Sequence, residues 1–172
     1  MANKQALRDL QSRLAERLQA ARTQARRQSW LAVECSGRGF LLPLREAGEI
    51  FAPTPIVAVP HSHRWFLGVA NLRGHLNGVV DLAGFLGVKA PEAGREQSRL
   101  VGFNQTLDIN CALLVDRLSG LRGDDELAVE PDDGTLRPAF AGVRMKDAAG
   151  RPWQELVLSA LVRDEAFLRI VS

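Results

Sequence analysis

Three histidines, two cysteines and a cluster of carboxylates are the residues of this 172-residue sequence whose types could do chemistry. His61 and His63 flank Ser62 just after Pro60, and His75 follows twelve residues later. Imidazole titrates near neutral pH and ligates metals, but a zinc site wants a third and fourth ligand at suitable spacing. Cys35 and Cys111 lie far off in apolar, strand-like stretches, and the nearest carboxylate, Asp81, falls in a predicted strand. No metal site is expected, and the two cysteines are expected to be buried thiols rather than a disulfide. The carboxylates Asp124, Asp125, Glu126, Glu130, Asp132 and Asp133 share one proline-bearing segment. Nothing apolar surrounds them to raise a carboxyl pKa for acid catalysis. Gly-x-Ser-x-Gly, a recognisable Cys-His spacing and a glycine-rich phosphate loop are all missing from the sequence. The expectation is a chain with no catalytic residue, no metal and no cofactor.

The elements that would carry these residues are mostly short strands. Trp30 to Cys35 and Phe40 to Leu44 read as two strands joined at Gly37-Arg38-Gly39. Ile56 to Val59 reads as another, closed by Pro60. Trp65 to Ala70 leads into a turn at Asn71-Leu72-Arg73-Gly74-His75, then a strand Val79 to Leu82 and a short helix over 83–86 stopped by Gly87. Residues 88–98 read as a linker between lobes. Arg99 to Phe103, a turn, and Ile109 to Val115 then restate the first strand pair about 69 residues on. Residues 122–138 read as a solvated loop, 143–158 as a hairpin, and Ser159 as the cap of a last helix over 160–169. Many short strands and few helices imply mainly β structure in small barrels.

Residues 1–28 differ from the rest. They contain no Gly or Pro, and Leu7, Leu10, Leu14 and Leu18 recur at helical spacing, which predicts an amphipathic helix over 3–28. Seven Lys and Arg stand there against two acids, net +5; the other 144 residues carry fifteen against eighteen, net −3. The stripe is either core for its own domain or a docking helix for a partner or a second copy. No run of about 18 apolar residues occurs, and the charged start of the chain predicts a cytoplasmic protein.

Gly68-Val69-Ala70-Asn71-Leu72-Arg73-Gly74, followed by Val79-Val80-Asp81-Leu82 and Phe85-Leu86-Gly87, resembles the CheW-like family. Phe40 to Leu44, Glu49-Ile50 and Ile56 to Pro60 match the family's preceding strands, and the resemblance covers residues 29–170. Together with the basic extension, Trp65 to Gly74 is most similar to the branch serving the type IV pilus chemotaxis-like system. The resemblance implies a mainly β fold of two pseudo-symmetric SH3-like β-barrels over 29–172, with an N-terminal helix over 1–28 and a short C-terminal helix. It implies a non-catalytic adaptor, recruited to polar arrays, that couples the cytoplasmic tip of a chemoreceptor to the regulatory domain of a histidine kinase and controls twitching motility. The membrane would be reached only through the receptor. Partner contacts would fall at Ala47, Glu49, Ile50, Asn71, Arg73, Gly74, Val115 and Leu118. Ala47 stands where the family usually has a larger aliphatic residue.

The residues of the motif can be read without the family. Gly68 and Gly74 suit positions where a side chain would crowd backbone or strain φ. Asn71 suits bonding to neighbouring backbone, and Arg73 offers a planar fork of donors that either ties lobes together or meets a partner. A rival reading, a small barrel whose basic arm binds nucleic acid, needs an exposed basic and aromatic strip. The net acidic body and the absence of tyrosine argue against it, so no nucleic-acid partner is expected.

Overall fold

The computed structural model describes residues 2–88 and 96–172. Helix α1 (Ala2–Arg26) comes first, and the side chains described along it are those of Gln5 and residues 9–20. Then follow β1 (Ser29–Cys35), β2 (Arg38–Pro43), β3 (Ala47–Phe51), β4 (Phe66–Leu72), β5 (His75–Asp81) and α2 (Leu82–Phe85). The second half supplies β6 (Arg99–Phe103), β7 (Cys111–Val115), β8 (Arg117–Gly123), β9 (Leu127–Val129), β10 (Ala141–Asp147), β11 (Pro152–Leu156), α3 (Leu158–Leu161) and α4 (Glu165–Leu168).

The strands form two sheets, ordered β8-β1-β2-β11-β10-β9 and β3-β6-β7-β5-β4. The repeat expected from sequence explains both orders at once. If β6, β7, β8, β10 and β11 stand for β1, β2, β3, β4 and β5, each sheet is the same five-strand pattern. A hairpin from one half (β1–β2 or β6–β7) receives the other three strands from the opposite half. The pairings agree: β1 with β8 and β6 with β3 are antiparallel, while β2 with β11 and β7 with β5 are parallel. β9 is an addition at one edge. The elements flanking the 88–98 segment, β5 with α2 on one side and β6 on the other, serve the same five-stranded sheet; residues 89–95 of that segment lie outside the described residues.

Such exchange needs strands that are apolar on both faces, and β1, β2, β6 and β7 are. Trp30, Ala32 and Leu41 point into the six-stranded sheet's own interior with Met145 and Trp153. Leu100 and Ala112 do the same in the other sheet with Ala70, Leu72 and Val79. Their neighbours in sequence, including Leu31, Val33, Phe40, Leu42, Val101, Phe103, Cys111 and Leu113, face outward and meet as one core between the sheets. The period-two alternation of a strand thus assigns successive residues to two different cores.

Several expected boundaries move. Ile56 to Val59 is no strand: only Val57 pairs, with Val69, as an isolated bridge. Gly68 permits that approach, because a Cβ there would lie 2.1 Å from the Val57 carbonyl oxygen. The first hairpin turns at Ser36-Gly37, at φ 50° and 74°, whereas Gly39 lies in β2 beneath the ring of Trp153. The loop over 122–138 contains β9. The last helix is two single turns, and Ser159 lies inside the first of them rather than capping it.

Candidate functional site

The histidines do not converge with the cysteines or carboxylates. Among the described residues, no group of three or more His, Cys, Asp and Glu could hold a metal ion. The His63 ring instead stacks on Trp65 at 5.5 Å, and Trp65 meets Phe85 edge-on at 5.0 Å. Cys35 and Cys111 are free and buried, and burial pushes each thiol up to about 12, well away from thiolate chemistry. Of the acidic segment, Asp132 pairs with Arg137 and Asp133 with Arg144. Hydrogen bonds from Thr135, then Arg144, hold the Asp133 carboxyl well below its usual range, the opposite of what a general acid needs.

The Asn71 to Gly74 motif forms an exposed two-residue turn between β4 and β5. Leu72 pairs with His75, and Arg73 and Gly74 take φ 51° and 80°, the double left-handed geometry that matches a hairpin's twist. The Gly74 amide donates to the Asn71 Oδ1 at 2.8 Å, so Asn71 clasps its own turn. Arg73 reaches from this turn to Glu49 on β3, with 2.5 Å between the charged atoms. β3 and β4 are the two edges of the five-stranded sheet. The pair therefore joins the edges of one curled sheet and does not tie the two sheets together.

The remaining expected contacts divide by exposure. Ile50 is 41% exposed next to Glu49, whereas Ala47 and Val115 are buried in the core between the sheets and Leu118 is half-buried against it. β3 bulges between Ala47 and Ile50. Gly48 makes room there, since a Cβ would lie 2.7 Å from the Phe103 carbonyl oxygen. The bulge turns Glu49 and Ile50 outward beside the Arg73 turn. Exposed Glu49, Ile50, Asn71, Arg73 and Gly74 thus form one patch, with Ala47 at the buried start of β3. Val115 instead pairs with Arg99 at the other end of β7, and Leu118 pairs with Val33 in the other sheet. On α1, Leu10, Leu14 and Leu18 are exposed, so that stripe is not core; the side chain of Leu7 lies outside those described.

Two buried carboxylates brace the body, Glu46 beside β3 and Glu34 in the other sheet, and neither has a sequence signal. Glu46, in the turn before β3, accepts from the Leu158 and Ser159 amides at 2.8 and 3.4 Å and from the Ser159 hydroxyl at 2.7 Å. It caps α3, which has no side-chain cap of its own, whereas the corresponding α2 is capped locally by Asp81. Glu34 on β1 accepts from Arg151, Arg117 and Ser119 at 2.8, 2.7 and 2.6 Å. The Arg151 hydrogen bond leads in bringing its carboxyl down to about 2. A cavity of about 930 Å³ lies elsewhere, among Phe40, Phe85, Phe140, Trp153, Arg38 and Arg137, and includes none of the patch residues.

Comparison with known proteins bears on the fold and the family. The CheW-like domain family matches residues 29–166. Protein PilI of Pseudomonas aeruginosa is 29% identical over 162 residues, covering 92% of this chain and 88% of that protein. A probable chemotaxis protein CheW of Rhizobium etli is 31% identical over 101 residues, covering 59% of this chain and 64% of its own. In three dimensions the chain is similar to the scaffolding protein TtCheW of Thermoanaerobacter tengcongensis, with a TM-score of 0.63 and 18% identity over 75% of this chain and 88% of that one. Among the described residues no helix is long and apolar enough to cross a membrane.

Proposed function

This chain belongs to the CheW-like family, and from that premise we propose that it is the adaptor of a chemosensory system governing type IV pili and twitching motility. It acts in the cytoplasm at polar receptor arrays, joining a chemoreceptor's cytoplasmic tip to the regulatory domain of a histidine kinase by binding alone. The observation that carries the pilus reading is the extent of the likeness to PilI: 92% of this chain is more than residues 29–172 could supply, so the match enters the basic arm.

The exposed patch supports the receptor side of this reading. A receptor tip is helical, and a helix lying against exposed Ile50 would gain an apolar anchor, with Arg73, Glu49 and Asn71 at the rim. Ala47 packs in the core at the start of the same strand that presents Glu49 and Ile50. Titration calorimetry with the tip fragment of a pilus-type receptor and with its kinase's regulatory domain tests the proposal. Binding of both is expected. Binding of neither, or retention on DNA at about 150 mM salt with no kinase bound, overturns it.

A further inference from the structure

One exposed apolar surface takes no part in that reading. Leu10, Leu14 and Leu18 share one face of α1 and are 56%, 51% and 61% exposed, and every described side chain from Asp9 to Ala20 is exposed. The helix spans on the order of 37 Å at its standard rise. Arg27 and Gln28 alone separate it from β1, and the Gln28 carbonyl accepts from the Asp124 amide at 3.2 Å beside β8. The root of α1 is therefore fixed to the barrel body while its apolar stripe is uncovered. A helix that buries nothing is marginal in water.

Charge identifies what would cover it. Asp9, Arg13 and Arg17 each precede a stripe leucine by one residue, so two cations and one acid border the stripe, whereas Glu16 falls toward the back of the helix. The whole arm is net +5. We propose that α1 docks through Leu10, Leu14 and Leu18 on a partner α-helix whose own apolar stripe is flanked by carboxylates. A second copy of α1 fits less well, because a net-positive row would border both stripes and two arms of net +5 would repel. A lipid surface fits poorly too: the arm contains no aromatic residue and its apolar face is narrow. This surface is separate from the Arg73–Glu49 patch, and the proposal stands whether or not the receptor reading does.

Fluorescence anisotropy of the full chain with two synthetic helical peptides tests it. Both carry leucine at the heptad core positions; one has Glu and the other Lys at the flanking positions. The Glu-flanked peptide is expected to bind at least about tenfold tighter than the Lys-flanked one. Leu10→Ala, Leu14→Ala and Leu18→Ala together should weaken it at least about tenfold, while Arg13→Glu with Arg17→Glu should reverse the preference. Unchanged thermal unfolding of the barrel body shows that both variants remain folded. Equal binding of the two peptides, or full binding by the leucine variant, overturns the proposal. So does self-association of the full chain that the leucine variant abolishes. Capture by phosphatidylserine vesicles without any peptide binding overturns it as well.

Discussion

Replacing Arg73 separates a residue that braces the fold from one that meets a partner. Its pair with Glu49 lies in water, with the two side chains 73% and 44% exposed, and an ion pair so placed contributes about 0.2–1 kcal/mol. The backbone beneath it is left-handed at φ 51°, which costs a non-glycine residue about 1 kcal/mol. Arg73→Ala removes the pair and keeps the strained turn, so it should destabilise by at most about 1 kcal/mol. That corresponds to a fall of about 2–4 °C in Tm for a chain of this size. Arg73→Gly removes the same pair and relieves the turn, so its stability should stay within about 0.5 kcal/mol of the parent. Both variants should bind a receptor tip at least about tenfold more weakly, and by similar factors, because they lose the same guanidinium. Urea unfolding followed by tryptophan fluorescence gives the stabilities and calorimetry the affinities. A loss of about 3 kcal/mol or more in Arg73→Ala, the signature of a buried pair, would refute this reasoning. Unchanged receptor binding in both variants would refute the contact.

Glu34 sets a pH dependence. Its folded carboxyl titrates at about 2 against 4.5 for the free group, so its contribution is complete above pH 4.5 and lost as pH falls toward 2. Allowing for the half-exposed Arg117, Glu34→Gln should cost on the order of 2 kcal/mol at neutral pH; in urea titrations the gap from wild type should close near pH 2, and a gap that persists there contradicts the assignment. Removing residues 1–26 should leave the melting temperature of the body within about 3 °C, since the stripe of α1 covers none of it; calorimetric loss of the transition would place those leucines in the core. Gly68→Ala should cost on the order of 2–3 kcal/mol in chemical denaturation, because the new methyl group meets the Val57 carbonyl at φ 134°; a neutral result would mean that the Val57–Val69 bridge is dispensable.

Local patterns in the chain announced themselves, and long-range choices did not. The apolar runs around Trp30 and Phe40, with Gly37 between them, specify a hairpin through nearest-neighbour geometry alone. The Asn71 to Gly74 turn was legible for the same reason: Asn71 bonds three residues along, and Gly74 accepts a left-handed φ. Nothing local tells β3 that its neighbour is β6, about fifty residues away, so the exchange of strands between halves was hidden although the repeat was visible. Burial at the patch was hidden similarly. Ala47 and Ile50 both belong to β3, yet the bulge between them sends one inward and the other outward. Ile56 to Val59 has the composition of a strand but gains a single pairing, between Val57 and Val69 where Gly68 lets the backbones approach. Glu46 carried no signal, since the helix it caps lies more than a hundred residues further on.

The exchange of strands also dictates an order of assembly during synthesis. The five-stranded sheet needs nothing beyond Val115, so it can close once β7 has left the ribosome. The hairpin β1–β2, made first, must wait with both faces apolar until β8 and β11 arrive to flank it. A nascent chain halted between Val115 and Leu156 therefore presents one finished sheet beside an open, sticky hairpin, the species that chaperones meet.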